Sequence, residues 1–336
     1  MKKVLYATLL ATALLSSCAK TATSGINDSA KRYFDSWMSI NYPDLKPTGI
    51  GTYTIEDTPG TGPAVGSQED SPFVYVNYTI RGLDGTISST TYAKVAQMLG
   101  NYDETSYYGP EVWGRTGDAL SAGLDDILSD MKVGGRRTSI IPGWLVTSQR
   151  YDTPQEYIDN VSASNPVIYD LEVVEVFEDV SKWELDSLYR YVKRNYGLEP
   201  KDTLKTGFFL KKTGGPQEAV AFEGDTTIHI NYIGRLLNGM VFDTNIKDTA
   251  IIHGIYSSSR TYEPQSIAWK KDDYTQIQMG SSDIIDGFSY ALWKMKDKEK
   301  CSAIFYSPLG YSYSGSGSGI PSYSPLRFDI EIVDKE

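Results

Sequence analysis

The sequence predicts an α+β protein built from two copies of one domain, and three observations carry that prediction. Two nine-residue stretches, FVYVNYTIR at 73–81 and TIHINYIGR at 227–235, share an alternation in which Val74, Val76 and Tyr78 match Ile228, Ile230 and Tyr232. Side chains two apart share one face of a strand, so each trio marks a half-buried strand. Two helical stretches carry the same i, i+3, i+4, i+7 spacing: Leu124, Ile127, Leu128 and Met131, then Phe288, Ala291, Leu292 and Met295. Each set makes one apolar helix face that a sheet must cover. The elements flanking these pairs recur in the same order.

Residues 28–40 (DSAKRYFDSWMSI) read as an amphipathic helix and 49–56 (GIGTYTIE) as a strand, followed by the turn-rich PGTGPAVGSQEDSP. The same order returns as a helix over 182–195, a strand over 207–212 (GFFLKK) and the turn TGGPQ. Each alternating strand runs into a hairpin signal, Leu83-Asp84-Gly85 and Leu237-Asn238-Gly239, because Asp-Gly and Asn-Gly favour tight turns. Gly123 and Gly287 open the two helices, and each unit closes with a strand, VIYDLEVVEVF at 167–177 and LRFDIEIVD at 326–334. The expected division is a signal peptide at 1–17, a tether and helix at 18–48, a first domain at 49–179, a linker helix at 180–206 and a second domain at 207–336.

A length of 336 residues fits two domains. Thirty Gly and twenty-five Tyr point to many turns and aromatic loops. A formal charge of −11 argues against nucleic acid as a partner, which needs a basic footprint. Lys2 and Lys3 precede an apolar run at 4–15 that is too short to span a bilayer and fits a signal peptide. Its end, Leu15-Ser16-Ser17-Cys18, resembles the lipobox of bacterial lipoproteins. That resemblance implies cleavage before Cys18, lipidation of its sulfur and anchoring to a membrane that the chain does not span. The expected location is the bacterial cell envelope, at the outer membrane facing the periplasm or the cell surface. Cys301 is then the one remaining cysteine, which excludes an intrachain disulfide, and its place in an alternating run makes it a core residue.

The second copy resembles the FKBP-type peptidyl-prolyl cis-trans isomerases. Four stretches carry the resemblance in family order: NYIGRLLNGMVFD at 231–243, IQMGSSDIIDGF at 277–288, SPLGYS at 307–312 and IPSYSPLRFDIEI at 320–332. The first copy resembles the family more weakly, through VNYTIRGLDG at 76–85, AGLDDILSDMKVGGRRTSIIP at 122–142 and its closing strand. The resemblance implies two FKBP-like domains, each an antiparallel sheet wrapped around a short helix and each preceded by a helix. It also implies an apolar cup formed by Tyr232, Phe242, Asp243, Ile284, Ile285, Phe288, Tyr311, Ile320 and Phe328, with Tyr313 as the alternative loop tyrosine. Phe288 stands on the cup floor where most members have Trp. Thr275 stands where many have an aromatic residue, and 244–274 is longer than the usual connection.

The first copy departs from this pattern. Tyr78 matches Tyr232, but Ser88 and Ser89 stand for Phe242 and Asp243, Leu124 stands for Phe288, and GWLVTSQRYDTPQ holds no tyrosine at the loop position. The expectation is a folded first domain with little or no catalysis and an active second domain acting on proline-containing proteins. Amide rotation breaks no bond, so no cofactor or metal is required. His229 and His253 are far apart in sequence and lack an acidic or Cys cluster that would suggest a metal site. SGSGSG at 314–319 lacks the Lys of a phosphate loop and reads as a flexible flap. The alternatives are a non-catalytic FKBP-like chaperone or peptide-binding lipoprotein and, on account of the tyrosine-rich loops, a glycan-binding lipoprotein.

Overall fold

The computed structural model describes residues 25–117 and 119–334. Cys18 and the expected signal segment 1–17 lie outside the described residues. The first copy runs α1 (Asp28–Asn41), β1 (Tyr53–Thr58), β2 (Phe73–Gly82), β3 (Ile87–Thr90), α2 (Ala93–Leu99), β4 (Glu111–Gly114), α3 (Ala122–Ser129), β5 (Arg136–Ile141), α4 (Pro154–Asn160) and β6 (Val167–Phe177). α5 (Val180–Tyr196) joins the copies. The second copy runs β7 (Phe208–Gly214), β8 (Thr226–Leu236), β9 (Val241–Thr244), α6 (Lys247–Ile252), β10 (Gln265–Trp269), β11 (Gln278–Met279), β12 (Ser282–Asp283), α7 (Asp286–Lys294), β13 (Lys300–Phe305) and β14 (Leu326–Val333).

The two sheets share one topology, which β11 and β12 extend in the second. The first is ordered β1-β5-β6-β2-β3, with β4 also on β2. The second is ordered β12-β11-β10-β8-β14-β13-β7, with β9 also on β8. The short strands β3 and β4 share one edge of β2 as β9 and β10 share one edge of β8, all antiparallel. The alternating trios face inward as their period requires, and Ile228, Ile230 and Tyr232 are all buried.

The helices α3 and α7 lie against these sheets, and two glycines set how closely. A Cβ on Gly123 would stand 2.3 Å from Ile141 Cγ2, and one on Gly287 would stand 2.5 Å from the Phe305 ring. Ile141 and Phe305 end the equivalent strands β5 and β13, so the same close approach is built twice. Met131 and Met295 fall just past the helix ends but remain buried, as the spacing predicts. In both hairpins the glycine is the third residue of a three-residue loop, Gly85 at φ 83° and Gly239 at φ 96°. That left-handed position is where Gly is favoured.

Three features differ from the sequence reading. The first strand begins at Tyr53 rather than 49, because Thr48 and Thr52 pair across a tight turn with Gly49 at φ 50°. Short helices α2 and α6 occupy the same place in each copy, each burying one alanine, Ala96 and Ala250. The linker helix α5 is packed on both sides. Leu188 and Val192 form a small core with Phe209 and Ile304, while Trp183 stacks on Phe177 of the first sheet at 4.6 Å. The buried Glu184 carboxylate accepts hydrogen bonds from the Ser307 N–H and from its hydroxyl at 2.8 Å. Cys301 is buried in β13, and burial followed by the nearby Glu299 charge pushes its thiol up to about 12.

Candidate active site

The residues expected at the cup gather around β8, whose alternation sets the direction of Tyr232. Tyr232 points inward and meets Phe288 of α7 at 5.5 Å and Phe328 of β14 at 6.3 Å between ring centroids. Phe288 and Phe328 are 4.8 Å apart, and Phe242 of β9 packs edge-on against Phe328 at 5.6 Å. Gly234 makes room for that last contact, since a Cβ there would stand 2.7 Å from the Phe242 ring. Asn245 locks β9 to β8. Its carbonyl accepts from the Tyr232 N–H at 2.8 Å, and its amide donates to Ile230 O at 2.9 Å. Thr244 adds a hydroxyl bond to Tyr232 O at 2.6 Å. Together these bonds fix the direction in which Phe242 and Asp243 project.

A polar network sits beside the aromatic cluster. The Tyr232 hydroxyl donates to Asp243 Oδ2 at 2.7 Å. Arg260 donates through Nη2 to the Tyr232 hydroxyl at 3.0 Å and through Nη1 to Asp243 Oδ1. Burial, then the Asp243 charge, raises the Tyr232 hydroxyl pKa, so it stays a neutral donor. Asp243 is therefore held by two donors and does not face the cup as an unpaired charge.

Ile284, Ile285 and Tyr311 are half-buried against the same cluster, while Ile320 and Phe328 are buried within it. Of the nine residues expected from the sequence, Tyr232, Phe242, Asp243, Phe288 and Phe328 are joined by direct contacts, and Ile284, Ile285, Tyr311 and Ile320 belong to or pack on the same domain core. Tyr313 is 70% exposed, whereas Tyr311 packs against the domain core within reach of the Asp243 charge. Its hydroxyl has no hydrogen-bond partner among the described residues, and burial, then Asp243, raises its pKa. Ile285 caps the start of α7 in an extended conformation, and its N–H donates to no group among the described residues. Among the described residues no group of three or more His, Cys, Asp or Glu could hold a metal ion.

Arg260 is the site residue that sequence reasoning missed. It lies in the long connection 244–274 and reaches Asp243 across 17 positions. A signal was present. Tyr256, Tyr262 and Pro264 repeat Tyr102, Tyr108 and Pro110 at one constant offset, and both tyrosine pairs stack, at 5.3 and 5.1 Å. That register sets Ser106 of the first copy opposite Arg260. Thr275 does not line the cup, because it is exposed and its hydroxyl bonds Asp273. The strand that follows β9 along the edge of β8 is β10. The expected flap at 314–319 is pinned instead, through Ser316–Ile320 backbone bonds of 2.7 and 3.1 Å and a bond from Tyr107 N–H to Ser318 O at 2.8 Å.

In the first copy, Ser89 pairs with Ile80 as Asp243 pairs with Gly234, which fixes the equivalence. Thr91 takes the place of Asn245, accepting from the Tyr78 N–H at 2.9 Å. The scaffold of the cup is kept, but its phenylalanine, aspartate and arginine are replaced by Ser88, Ser89 and Ser106.

Residues 218–333 match the family model of the FKBP-type peptidyl-prolyl cis-trans isomerases. Fold, cup and match together make the C-terminal copy an FKBP-type isomerase domain. The chain carries that domain in tandem with a second unit of the same architecture. It is 25% identical over 266 residues to the bovine (Bos taurus) peptidyl-prolyl cis-trans isomerase FKBP10, covering 79% of this chain and 34% of that protein. It is 27% identical over 120 residues to the macrophage infectivity potentiator of Trypanosoma cruzi, covering 36% of this chain and 47% of that protein. The chain thus spans less than half the length of these two relatives. Against the crystal structure of FkpA from Escherichia coli the TM-score is 0.32, with 23% identity over 46% of this chain and 58% of that one.

Proposed function

We propose that the protein is a peptidyl-prolyl cis–trans isomerase that assists the folding of envelope or secreted proteins, with its working site in the C-terminal cup. The observation that supports this most is the convergence of Tyr232, Phe242, Asp243, Ile285 and Tyr311 on one aromatic cluster inside an FKBP-type domain. Rotation about a peptide bond meets a barrier of about 18–20 kcal/mol because twisting destroys amide resonance. Unaided X-Pro bonds therefore interconvert slowly. In the twisted amide the carbonyl carries less negative charge and the nitrogen becomes pyramidal. That species loses less than the planar amide when water is removed, so a dry aromatic cup favours the transition state over the ground state.

In this mechanism Phe242, Ile284, Phe288 and Phe328 hold the prolyl ring. The free Ile285 N–H and the Tyr311 hydroxyl donate to substrate carbonyls and keep the chain fixed while one amide turns. Asp243, held by Tyr232 and Arg260, keeps β9 and the cup edge in place and presents a fixed negative charge. No covalent bond changes, so no nucleophile or cofactor takes part. Cys18, lipidated after signal cleavage, would tether the protein to the envelope membrane, where chains emerging from export would meet it.

A protease-coupled assay with a succinyl-Ala-Xaa-Pro-Phe peptide and the full mature chain tests the proposal. Catalysed isomerisation that is lost in Phe242→Ala with Asp243→Ala is the expected result. A rate equal to the uncatalysed one sinks it. One observation favours a second reading, a binding module without catalysis: Phe288 on the cup floor offers no indole N–H. Saturable binding of a prolyl peptide with no rate enhancement would establish that reading instead.

A further inference from the structure

A cleft of about 450 Å³ lies between the two copies. One wall is the first copy's counterpart of the cup, with Tyr78, Ser89, Glu111 and Trp113. The other wall is the second copy's loop around Ser318, Ile320 and Pro321. Ile320 lines the cleft and also belongs to the buried cluster that forms the C-terminal cup. The cleft and the expected cup therefore share Ile320.

The chemistry of the cleft centres on Glu111. It pairs with Val76 on β2 at the position where Gln265 pairs with Ile230 on β8, so the first copy has a carboxylate where the second has an amide. The carboxylate accepts a bond from the Tyr78 hydroxyl at 3.2 Å, and Trp113 packs over the Tyr78 ring at 5.0 Å. No Lys or Arg pairs with Glu111 among the described residues. Burial raises its carboxyl pKa against the bonds from Tyr78 and Trp113. A carboxylate drawn partly out of water, with donors but no cation, is unfavourable until a cation arrives. Tyr78, Tyr107 and Trp113 line the same cleft, and aromatic rings attract cations over their faces. The chain's formal charge of −11 draws cationic partners toward the surface as a whole.

We propose that this cleft is a second binding site, which takes a lysine or arginine side chain of the same polypeptide whose proline occupies the C-terminal cup. The inference rests on the reading of that cup as a prolyl site. It makes the substrate class a proline-containing segment with a basic residue a few positions from the proline. The first copy then contributes recognition in place of the catalysis it lacks.

The test is fluorescence anisotropy with the full mature chain at low ionic strength. Three labelled peptides are compared: two identical prolyl peptides carrying lysine or glutamate near the proline, and a proline-free lysine peptide. The lysine prolyl peptide is expected to bind at least fivefold tighter than the glutamate one. Glu111→Gln is expected to bring that ratio below twofold, with Glu218→Gln, an exposed acid outside the cleft, leaving it as in the parent. Circular dichroism confirms that both variants are folded. Equal affinity of the two prolyl peptides in the parent overturns the proposal, as does a preference that survives Glu111→Gln. Displacement of the lysine peptide by a neutral oligosaccharide also overturns it, in favour of a glycan site. If no peptide is isomerised but the proline-free lysine peptide still binds and Glu111→Gln weakens it, the catalytic reading fails and the cleft stands.

Discussion

The two copies share a sheet order, a helix pressed onto it through a glycine, and a hairpin with a left-handed glycine, yet they differ in the side chains these elements present. The second copy has Phe242, Asp243 and Arg260, whereas the first has Ser88, Ser89 and Ser106. The backbone pairing that presents these positions is unchanged. The scaffold and the site are therefore separable: packing keeps the fold, and a few projecting groups decide what each copy does.

The largest expected effect comes from emptying the working cup. Phe242→Ala with Asp243→Ala should lower kcat/KM in the protease-coupled assay about 100-fold, some 3 kcal/mol at the transition state. Ser88→Ala in the first copy, an exposed position outside the cleft, should change it by less than about twofold. Comparable losses from the two variants would break the assignment of roles. Next come the helix glycines. Gly287→Ala and Gly123→Ala each place a Cβ inside a neighbouring side chain, 2.5 Å from the Phe305 ring and 2.3 Å from Ile141 Cγ2. Each should cost about 1–3 kcal/mol in denaturant titration, more than the gain from better helix propensity. A variant as stable as the parent at either position would show that the two copies are not packed alike.

Glu184 supplies a pH test of how the copies are joined. Burial outweighs the Ser307 bonds and brings its carboxyl up to about 7 from 4.5. Between those values the unfolded chain has released the proton and the folded chain retains it. Stability should therefore fall as pH rises through that window, by about 1–3 kcal/mol for this group. Glu184→Gln should flatten that slope, read from melts at pH 4.5 to 8. The smallest effect sharpens the loop assignment. Tyr311→Phe should slow catalysis about 3–10-fold, as loss of a bond of about 0.5–1.5 kcal/mol implies. Tyr313→Ala, at an exposed position, should leave the rate within about twofold.

Much of this architecture was legible because local chemistry and global fold agree. Val74, Val76 and Tyr78 alternate because one face of β2 is buried, and Leu124, Ile127 and Leu128 repeat because α3 has one covered side. The cup residues were legible through motif order, since Phe242 and Asp243 follow directly from the hairpin turn. Arg260 was not, because a long connection places it and only its geometry with Asp243 reveals it. Thr275, expected where many members have an aromatic residue, is exposed and bonds Asp273. The cleft at Glu111 was hidden as well, since six of its fifteen lining residues lie about 200 positions further along the sequence, beyond the reach of any local pattern.

The packing of α5 has one more consequence. A helix that buries Leu188 and Val192 on one copy and stacks Trp183 on the other behaves as a strut, not a swivel. Two weak grips held at a fixed separation act at high effective concentration toward any ligand that spans them. A segment caught by one would find the other without a second diffusive search. Segments with the wrong spacing would gain nothing, so the strut serves as a ruler.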